Sequence, residues 1–556
     1  MLAGTGHAES HGHDIEEGRI RERHTARPEV FRDVKFELPD AGGETIALQQ
    51  CAVTAAVAIG LHARNQAAHC TVDGCQFDSH PASSRAAGEI QDVRRQATHA
   101  CPIVHSRNRF KLAPMKQAFR GSVLHFLGDP TESGRADTFE YHEDGLLIVE
   151  DGHVAGLGNA RALLPTLHGA AALTDCTGKL IVPGFIDGHI HFVQTDVIAS
   201  YGRRLLDWLE QYTFPAERAF ADEVHAREVA RFFIAELLRN GTTTALVVGS
   251  VHPASVDAVF EAALARDMRL IAGKALMDRN CPEYLRDTAA SGYADSAALI
   301  ERWHGRGRMQ YAITPRFAPS STPEQLAAAG RLAREHPDVY VHTHVAENEE
   351  EVAWAKELFP ERRSYLDIYD HYGLLRRRTA LAHGIWLDDA DLARVAATGA
   401  ALVHCPACNL FLGSGLFDLR RAVAAGVPVA LGTDVGGGTT FCMLRVLHEA
   451  YKVARLRGNS LSPLTAFYLA TLGAARALDL DGRIGSFATG READFIVLDP
   501  AATPLLARRT ATARNISEKL FLLMTLGDDR AVARTYLMGK LRHDRDARDS
   551  APGQGK

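Results

Sequence analysis

The central part of the chain, roughly 181–480, alternates short apolar runs with longer amphipathic stretches. The short runs are typical of buried parallel strands, and stretches such as 323–335 and 349–358 space their apolar residues as helices do. The predicted strands are one that ends at His191, then 242–248, 270–276, 310–314, 339–344, 379–383, 401–404 and 428–432. Eight strands separated by helices predict an α/β fold, a (β/α)8 TIM-like barrel. The alternative is an open doubly wound sheet, which the lack of a G-x-G-x-x-G motif after the first strand disfavours.

The flanking segments have a different pattern, in which apolar and polar residues alternate over short runs between turn residues. Runs of this kind lie at 119–127, 145–156, 493–499 and 534–539. They predict hairpin strands near both ends of the chain. The predicted domains are therefore a small β-sandwich from 115–180 and 481–545, and a barrel from 181–480.

Residues 1–114 sustain neither the two-residue alternation typical of strands nor the apolar spacing typical of helices. They contain no Trp or Tyr, although they hold nine of the 26 His and four of the nine Cys. We expect this extension to be disordered or not native, with the natural chain starting at Met115. We also expect a disordered tail at 546–556.

Composition narrows the function. The formal net charge of the 556 residues is -6, which disfavours a broad nucleic-acid surface. No apolar run approaches the roughly 20 residues that span a bilayer, so we expect no membrane segment. The nine cysteines lack a dense, regular spacing, which favours reduced thiols in the cytoplasm.

Polar residues stand where the predicted barrel strands end. His189 and His191 are two residues apart, so on a strand their side chains point the same way and can share a metal. That pair alone could also be two structural histidines. His344, His383 and Asp434 end further predicted strands, and barrel active sites lie at this face, so the set favours a catalytic centre.

These residues lie in motifs that resemble the amidohydrolase superfamily, whose opening motif is similar to Pro183-Gly-Phe-Ile-Asp-Gly-His-Ile-His191. The stretches that resemble its guanine-deaminating members are 191–202, 206–209, 212–217, 277–280, 314–317, 358–362 and 403–406. The resemblance covers about Met115 to Met538. It implies a hydrolase that converts guanine to xanthine and ammonia, and a homodimer that acts on a small purine.

The resemblance also implies a metal site. Its ligands would be His189, His191, His344 and Asp434. Three imidazoles and a carboxylate suit zinc, and would also accept iron. Two-metal relatives commonly carry a lysine at the end of the fourth strand. Here that strand runs into 314–316 without a lysine, and Lys274 is on the third strand, so we expect one zinc per subunit.

By the same resemblance, Glu347 would move a proton from water to the purine, while His383 and Asp434 would orient the attacking water and stabilise charge. The alternative for Glu347 is an exposed surface acid, because 349–351 are also glutamates.

Substrate binding is expected from Gln194, Arg316 and Phe317. The Gln194 amide can donate and accept, Arg316 carries only donors and matches the O6 carbonyl of guanine, and Phe317 would support the ring. The alternative for Arg316 is a strand-end salt bridge.

Other residues and functions stay open. Cys405 and Cys408 are expected to be packing cysteines, His342 shares the His344 side of its strand, and His404 has no assigned role. The alternative functions are deamination of a pterin, triazine or cytosine type of ring, or a metal-free scaffold. The presence of all four ligands and of Glu347 argues against the scaffold.

Overall fold

The computed structural model describes residues 116–131, 137–167, 172–201 and 205–547, so the expectations for 1–114 and for 548–556 lie outside the described residues. The strands are β1 (Lys116–Phe126), β2 (Phe139–Glu150), β3 (His153–Asn159), β4 (Ala172–Pro183), β5 (Phe185–His191), β6 (Thr242–Val248), β7 (Arg269–Gly273), β8 (Ala275–Leu276), β9 (Met309–Pro315), β10 (Tyr340–Val345), β11 (Thr379–His383), β12 (Ala401–His404), β13 (Val429–Leu431), β14 (Phe495–Leu498), β15 (Val532–Leu537) and β16 (Lys540–Asp544).

The α-helices are α1 (Ala160–Leu163), α2 (Leu205–Trp208), α3 (Phe214–Arg218), α4 (Glu223–Arg239), α5 (Pro253–Arg266), α6 (Ala289–Trp303), α7 (Pro323–Glu335), α8 (Glu349–Leu358), α9 (Tyr365–His371), α10 (Asp389–Thr398), α11 (Pro406–Phe411), α12 (Leu419–Ala424), α13 (Met443–Leu456), α14 (Pro463–Leu469), α15 (Leu472–Ala477), α16 (Pro504–Thr510) and α17 (Ile516–Leu526).

Eight parallel strands form the barrel, in the order β5, β6, β7, β9, β10, β11, β12, β13. The short β8 lies outside this order and pairs with β9. Every residue of β5, β6 and β7 is buried, as expected for strands covered on both faces. The predicted (β/α)8 fold is confirmed, and the two predicted helices at 323–335 and 349–358 coincide with α7 and α8.

The barrel closes between its first strand and the segment that follows its last strand. The backbone N–H of Asp434 donates to the carbonyl oxygen of His189 at 2.9 Å. The buried carboxylate of Asp187 accepts from the backbone N–H groups of His189, at 3.2 Å, and Thr433, at 3.0 Å. Burial raises the pKa of Asp187 to about 7. This one carboxylate therefore joins β5 to the end of β13.

Local signals explain where α7 and α8 begin. Thr322 accepts from the backbone N–H of Gln325, and Pro323 occupies the first turn, where it displaces no helical hydrogen bond. Asn348 and Glu351 form a capping box at the start of α8. Because α8 starts immediately after the end of β10, its cap also controls the loop that carries a predicted site residue.

The segments on both sides of the barrel share a second sheet, in the order β16, β15, β14, β4, β1, β2, β3. The ring centroids of Phe119, on β1, and Tyr536, on β15, are 5.0 Å apart, although two strands lie between them in the sheet. A flat sheet would separate these strands by about 14 Å, so this sheet curls over its own core. Phe495 stacks on Tyr536 at 4.5 Å within that core.

This second sheet is continuous with the entrance to the barrel. Strand β14 pairs antiparallel with β4, and β4 leads directly into β5. We retain as a proposal the predicted domain limits near 180 and 481. Within the part of the chain that the structure describes, no helix combines the length and the apolar content needed to cross a bilayer.

Candidate metal centre and active site

The four predicted ligands meet at the carboxyl ends of the barrel strands. His189 and His191 end β5, His344 is in β10, and Asp434 follows β13. One nitrogen or oxygen atom from each lies within 4.8 Å of the others. His191 Nε2 is 3.2 Å from His189 Nε2 and 3.0 Å from His344 Nε2, and Asp434 Oδ1 is 3.1 Å from His189 Nε2.

This donor set fits a bound cation. Lone pairs of neutral imidazoles repel one another at such distances, and a single proton cannot satisfy three converging nitrogens and a carboxylate. A divalent transition metal takes these ligands readily. Burial holds the pKa of both His191 and His344 well below the usual histidine value, which favours the neutral form that binds metal.

Groups behind the imidazoles orient their inward nitrogens. His344 Nδ1 lies 2.6 Å from the carbonyl oxygen of Arg316, so Nδ1 carries the proton and Nε2 presents its lone pair to the centre. His189 Nδ1 lies 2.6 Å from Nε2 of His342, which the sequence placed on the His344 side of its strand. His342 therefore lies behind His189 and contributes to its orientation.

Glu347 is turned into the site and is 3% exposed, so the alternative of a surface acid is wrong. Ala346 has a φ of 48°, in the left-handed region, and this reversal after β10 sends Glu347 inward. Glu351 Oε2 accepts from the Glu347 backbone N–H at 2.9 Å, and Ser414 Oγ donates to Glu347 Oε1 at 2.9 Å. Burial raises the pKa of the Glu347 carboxyl.

His383 lies between two carboxylates. Its Nε2 is 3.5 Å from Glu347 Oε2 and 3.6 Å from Asp434 Oδ2, while its Nδ1 contacts Asn409 Oδ1 at 2.9 Å. Among the described residues, no group forms a hydrogen bond to that Nε2. Burial alone would lower the pKa of His383, but the two carboxylates outweigh it and raise the pKa. The ring can therefore hold a proton beside both acids.

Two residues of the site adopt the left-handed backbone region despite having a Cβ. The φ angle of His383 is 71° and that of Asp434 is 52°. Such conformations cost about 1–3 kcal/mol each, and they cluster at active sites, where the surrounding structure enforces them. The strain here falls on residues whose side chains face the predicted centre.

Arg316 and Gln194 both line the cavity next to the histidines, and both are bonded to Glu217. Arg316 Nη1 donates to both Glu217 oxygens at 2.8 Å, and Gln194 Nε2 donates to Glu217 Oε1 at 3.1 Å. The backbone N–H of Gly436 donates to Gln194 Oε1 at 3.1 Å. The salt bridge considered as an alternative for Arg316 thus exists, and Arg316 lines the cavity as well.

Apart from the histidines, the acids, Arg316 and Gln194 described above, the walls of the cavity are mostly apolar. The space between them measures about 440 Å³ when its opening to solvent is included. Phe317, predicted to support a substrate, lines it and is 6% exposed. The other lining residues are His191, Trp208, Leu209, His344, Glu347, Glu351, His383, Cys408, Leu412, Asp434 and Gly437.

The site roles of Glu217, Ser414 and Cys408 were not predicted from the sequence. Glu217 ends the stretch 212–217 that carries the family resemblance, which was the one available signal. Ser414 follows α11 in a segment without a strand or helix pattern. Cys408 was expected only to pack, yet its Sγ lies 3.8 Å from Glu347 Oε1.

Three other residues that the sequence singled out lie outside the ligand group. Lys274 follows β7, is fully buried, and pairs with Asp287 at 2.6 Å. His404 stacks on Phe417 with ring centroids 4.7 Å apart, and burial lowers its pKa to about 3. Cys405 Sγ contacts the Val403 carbonyl oxygen at 3.6 Å, in keeping with a packing residue.

Comparison with known proteins agrees with this geometry. Residues 180–542 match the model of the amidohydrolase family. The chain is 51% identical to guanine deaminase of Escherichia coli (strain K12) over 433 residues, which are 77% of this chain and 98% of that protein.

Solved structures give the same result. A structure of E. coli guanine deaminase superposes with a TM-score of 0.76 at 50% identity, covering 77% of this chain and 100% of the other. A guanine deaminase from C. acetobutylicum, with guanine bound in its active site, superposes with a TM-score of 0.70 at 27% identity, covering 77% and 99%. The fold, the converging side chains and these similarities agree: this chain belongs to the amidohydrolase family.

Proposed function

We propose that the protein hydrolyses guanine to xanthine and ammonia. One observation carries the proposal: three imidazoles and a carboxylate converge beside the buried acid Glu347, in a cavity where Arg316 is a cationic donor. A relative that is 51% identical is named guanine deaminase, and one solved relative holds guanine in its active site.

We propose one zinc ion per subunit, held by His189, His191, His344 and Asp434. The three imidazoles and one carboxylate match the ligands that zinc prefers, and iron would accept the same set. When bound, the cation supplies the Lewis acidity that makes water a nucleophile near neutral pH.

The buried acids and His383 handle the protons. Glu347 takes a proton from the attacking water and delivers it to the ring nitrogen next to C2. Its raised pKa suits this exchange, because a base works best when its pKa lies near the operating pH. Water supplies the oxygen at C2. One of its protons stays on the ring nitrogen next to C2 and the other moves to the amino group, so the bond from C2 to that nitrogen breaks, ammonia leaves and the C2 carbonyl of xanthine forms.

His383 and Asp434 act on the attacking oxygen. Asp434 Oδ1 faces His189, whereas its Oδ2 lies 3.6 Å from His383 Nε2 and accepts a hydrogen bond from the attacking water. The neighbouring carboxylates raise the pKa of His383, which favours a proton on its ring. Its Nε2 then donates a hydrogen bond to the oxygen on C2 as negative charge develops there. Both groups are buried, so their interactions act in a medium of low dielectric constant.

Specificity for guanine comes from Arg316, Gln194 and Phe317. Arg316 offers N–H donors and no acceptor, so it matches a carbonyl oxygen at position 6 of a purine and opposes an amino group there. A site that loses such a pairing can discriminate by several orders of magnitude. Phe317 packs against the ring.

The test is to incubate the purified protein with guanine and to follow the loss of guanine absorbance together with xanthine and ammonia. We expect one xanthine and one ammonia per guanine, and a large loss of turnover in Glu347→Gln, which keeps the shape of the side chain and removes its basicity. No turnover of guanine by the wild-type protein, with turnover of a pterin, triazine or cytosine instead, would overturn the proposal.

The remaining features of this proposal are a role in purine catabolism, a homodimer and a cytoplasmic location. The five cysteines of the described residues are free and buried, which supports a reducing compartment. Light scattering of the purified protein tests the homodimer.

A further inference from the structure

Glu217 is a buried carboxylate that serves two residues of the site. It lies in α3 and is 0% exposed. It is not among the described residues that line the cavity. Its two oxygens accept from Arg316 Nη1 at 2.8 Å each, and its Oε1 also accepts from Gln194 Nε2 at 3.1 Å. A carboxylate in this position can affect a bound substrate only through Arg316 and Gln194.

The chemistry of the contacts determines the orientation of Gln194. A backbone N–H can only donate, so the Gln194 atom that faces Gly436 must be the carbonyl oxygen. An ionised carboxylate can only accept, so the atom that faces Glu217 must be the amide nitrogen. The Gln194 side chain can therefore donate to a ligand with the second N–H of that nitrogen.

Glu217 also commits one end of the Arg316 guanidinium. Nη1 is bonded to the carboxylate, so Arg316 meets a ligand with its other N–H groups. The negative charge of Glu217 compensates an arginine that is only 3% exposed, and a buried arginine without such a partner would be costly. Through these bonds, one acid sets the donors of both neighbours.

We propose that Glu217 is a positioning residue that presents Arg316 and Gln194 to the substrate as donors, and so selects a ring edge with acceptors. The inference rests on the proposed function, because the ring edge is that of guanine. It predicts that Glu217 controls binding of the purine, whereas the proton transfers depend on other groups.

The test variant is Glu217→Gln, which has nearly the same shape. Its amide oxygen can still accept from Gln194, but its NH2 group then faces Arg316 Nη1, donor against donor. We expect KM for guanine to rise about 10- to 100-fold, from the loss of a charge-assisted hydrogen bond, while kcat changes by less than about 3-fold. Hypoxanthine and adenine differ at position 6, where one has a carbonyl oxygen and the other an amino group. When both are measured as competitive inhibitors, the ratio of their inhibition constants should be smaller for the variant than for the wild-type protein.

Coupling to Arg316 separates positioning from a general loss of stability. In an Arg316→Met background, the further change Glu217→Gln should alter KM by less than about 3-fold, because its effect passes through the arginine. Glu492→Gln is the matched control: Glu492 also pairs with a buried arginine, Arg269, at the start of β7 and away from the cavity. It should leave KM unchanged.

Cation content and thermal unfolding accompany the kinetics, and Glu217→Asp, which keeps the charge, replaces Glu217→Gln if that variant does not fold. An unchanged KM in a folded Glu217 variant overturns the inference. So does an equal rise of KM in the presence and absence of Arg316, or a loss confined to kcat. Failure of the wild-type protein to deaminate guanine would instead overturn the proposed function.

Discussion

The hydroxyl of Ser414 should determine the pH above which kcat/KM of the proposed reaction reaches its full value, because it contacts the proposed base Glu347. Ser414 Oγ donates to Glu347 Oε1 at 2.9 Å inside the protein, and this bond favours the ionised carboxylate, opposing the larger effect of burial. In Ser414→Ala the bond is lost, while the contact of Glu347 Oε2 with His383, at 3.5 Å, remains. The pKa of Glu347 should therefore rise further.

The magnitude follows from the strength of such a bond. A hydrogen bond to a charged group contributes about 1.5–3 kcal/mol. At about 1.4 kcal/mol per pKa unit, its loss raises the pKa of Glu347 by about one to two units. Glu347 acts as a base only when ionised, so kcat/KM should fall as the pH drops through the raised pKa. Below the pKa of Glu347 in the wild-type protein the variant should be about 10- to 100-fold slower, and above its own raised pKa the two proteins should be nearly equal.

The assay is kcat/KM for guanine measured from acid to alkaline pH in both proteins. Ser255→Ala serves as the control, since Ser255 is another buried serine, with its Oγ bonded to the carbonyl of His252. An acid limb that stays in place in Ser414→Ala, or a loss that is equal at every pH, would refute this account of Glu347.

Two other substitutions test separate parts of the structure. His191→Ala removes one of four converging ligands and should lower both turnover and the amount of bound cation, which elemental analysis measures. In the wild-type protein, removal of the cation with a chelator should abolish turnover, and added zinc should restore it. A fully loaded and active His191→Ala would contradict the assigned centre. Lys274→Met leaves Asp287 without its buried partner, so the free energy of unfolding should fall by about 3–5 kcal/mol with KM for guanine unchanged; a shift in KM would place Lys274 in the site.

Much of the barrel could be predicted because its local signals are strong. The pattern 323–335 coincided with α7, since Thr322 and Pro323 mark its start and the apolar residues keep a helical spacing. The alternation of side chains along a strand correctly put His189 and His191 on one side, and His342 with His344.

The predicted third strand, 270–276, shows where this reasoning fails. The structure divides it into β7 and β8, with Lys274 between them directed to Asp287. A Cβ on Gly273 would lie 1.8 Å from the carbonyl oxygen of Ala312, so the interruption depends on close contact with β9. Contact of this kind, like that of Ser414 with Glu347, joins segments far apart in sequence and leaves no local pattern.

The place where the barrel closes has a consequence for biosynthesis. Asp187 and Thr433, which help to join the first and last strands, are 246 positions apart, and the proposed cation ligands straddle the same junction. A ribosome must therefore release almost the whole barrel before the pocket for the ion can exist. Early in translation the emerging histidines have no aspartate to share a metal with, and loading belongs to the last stage of maturation.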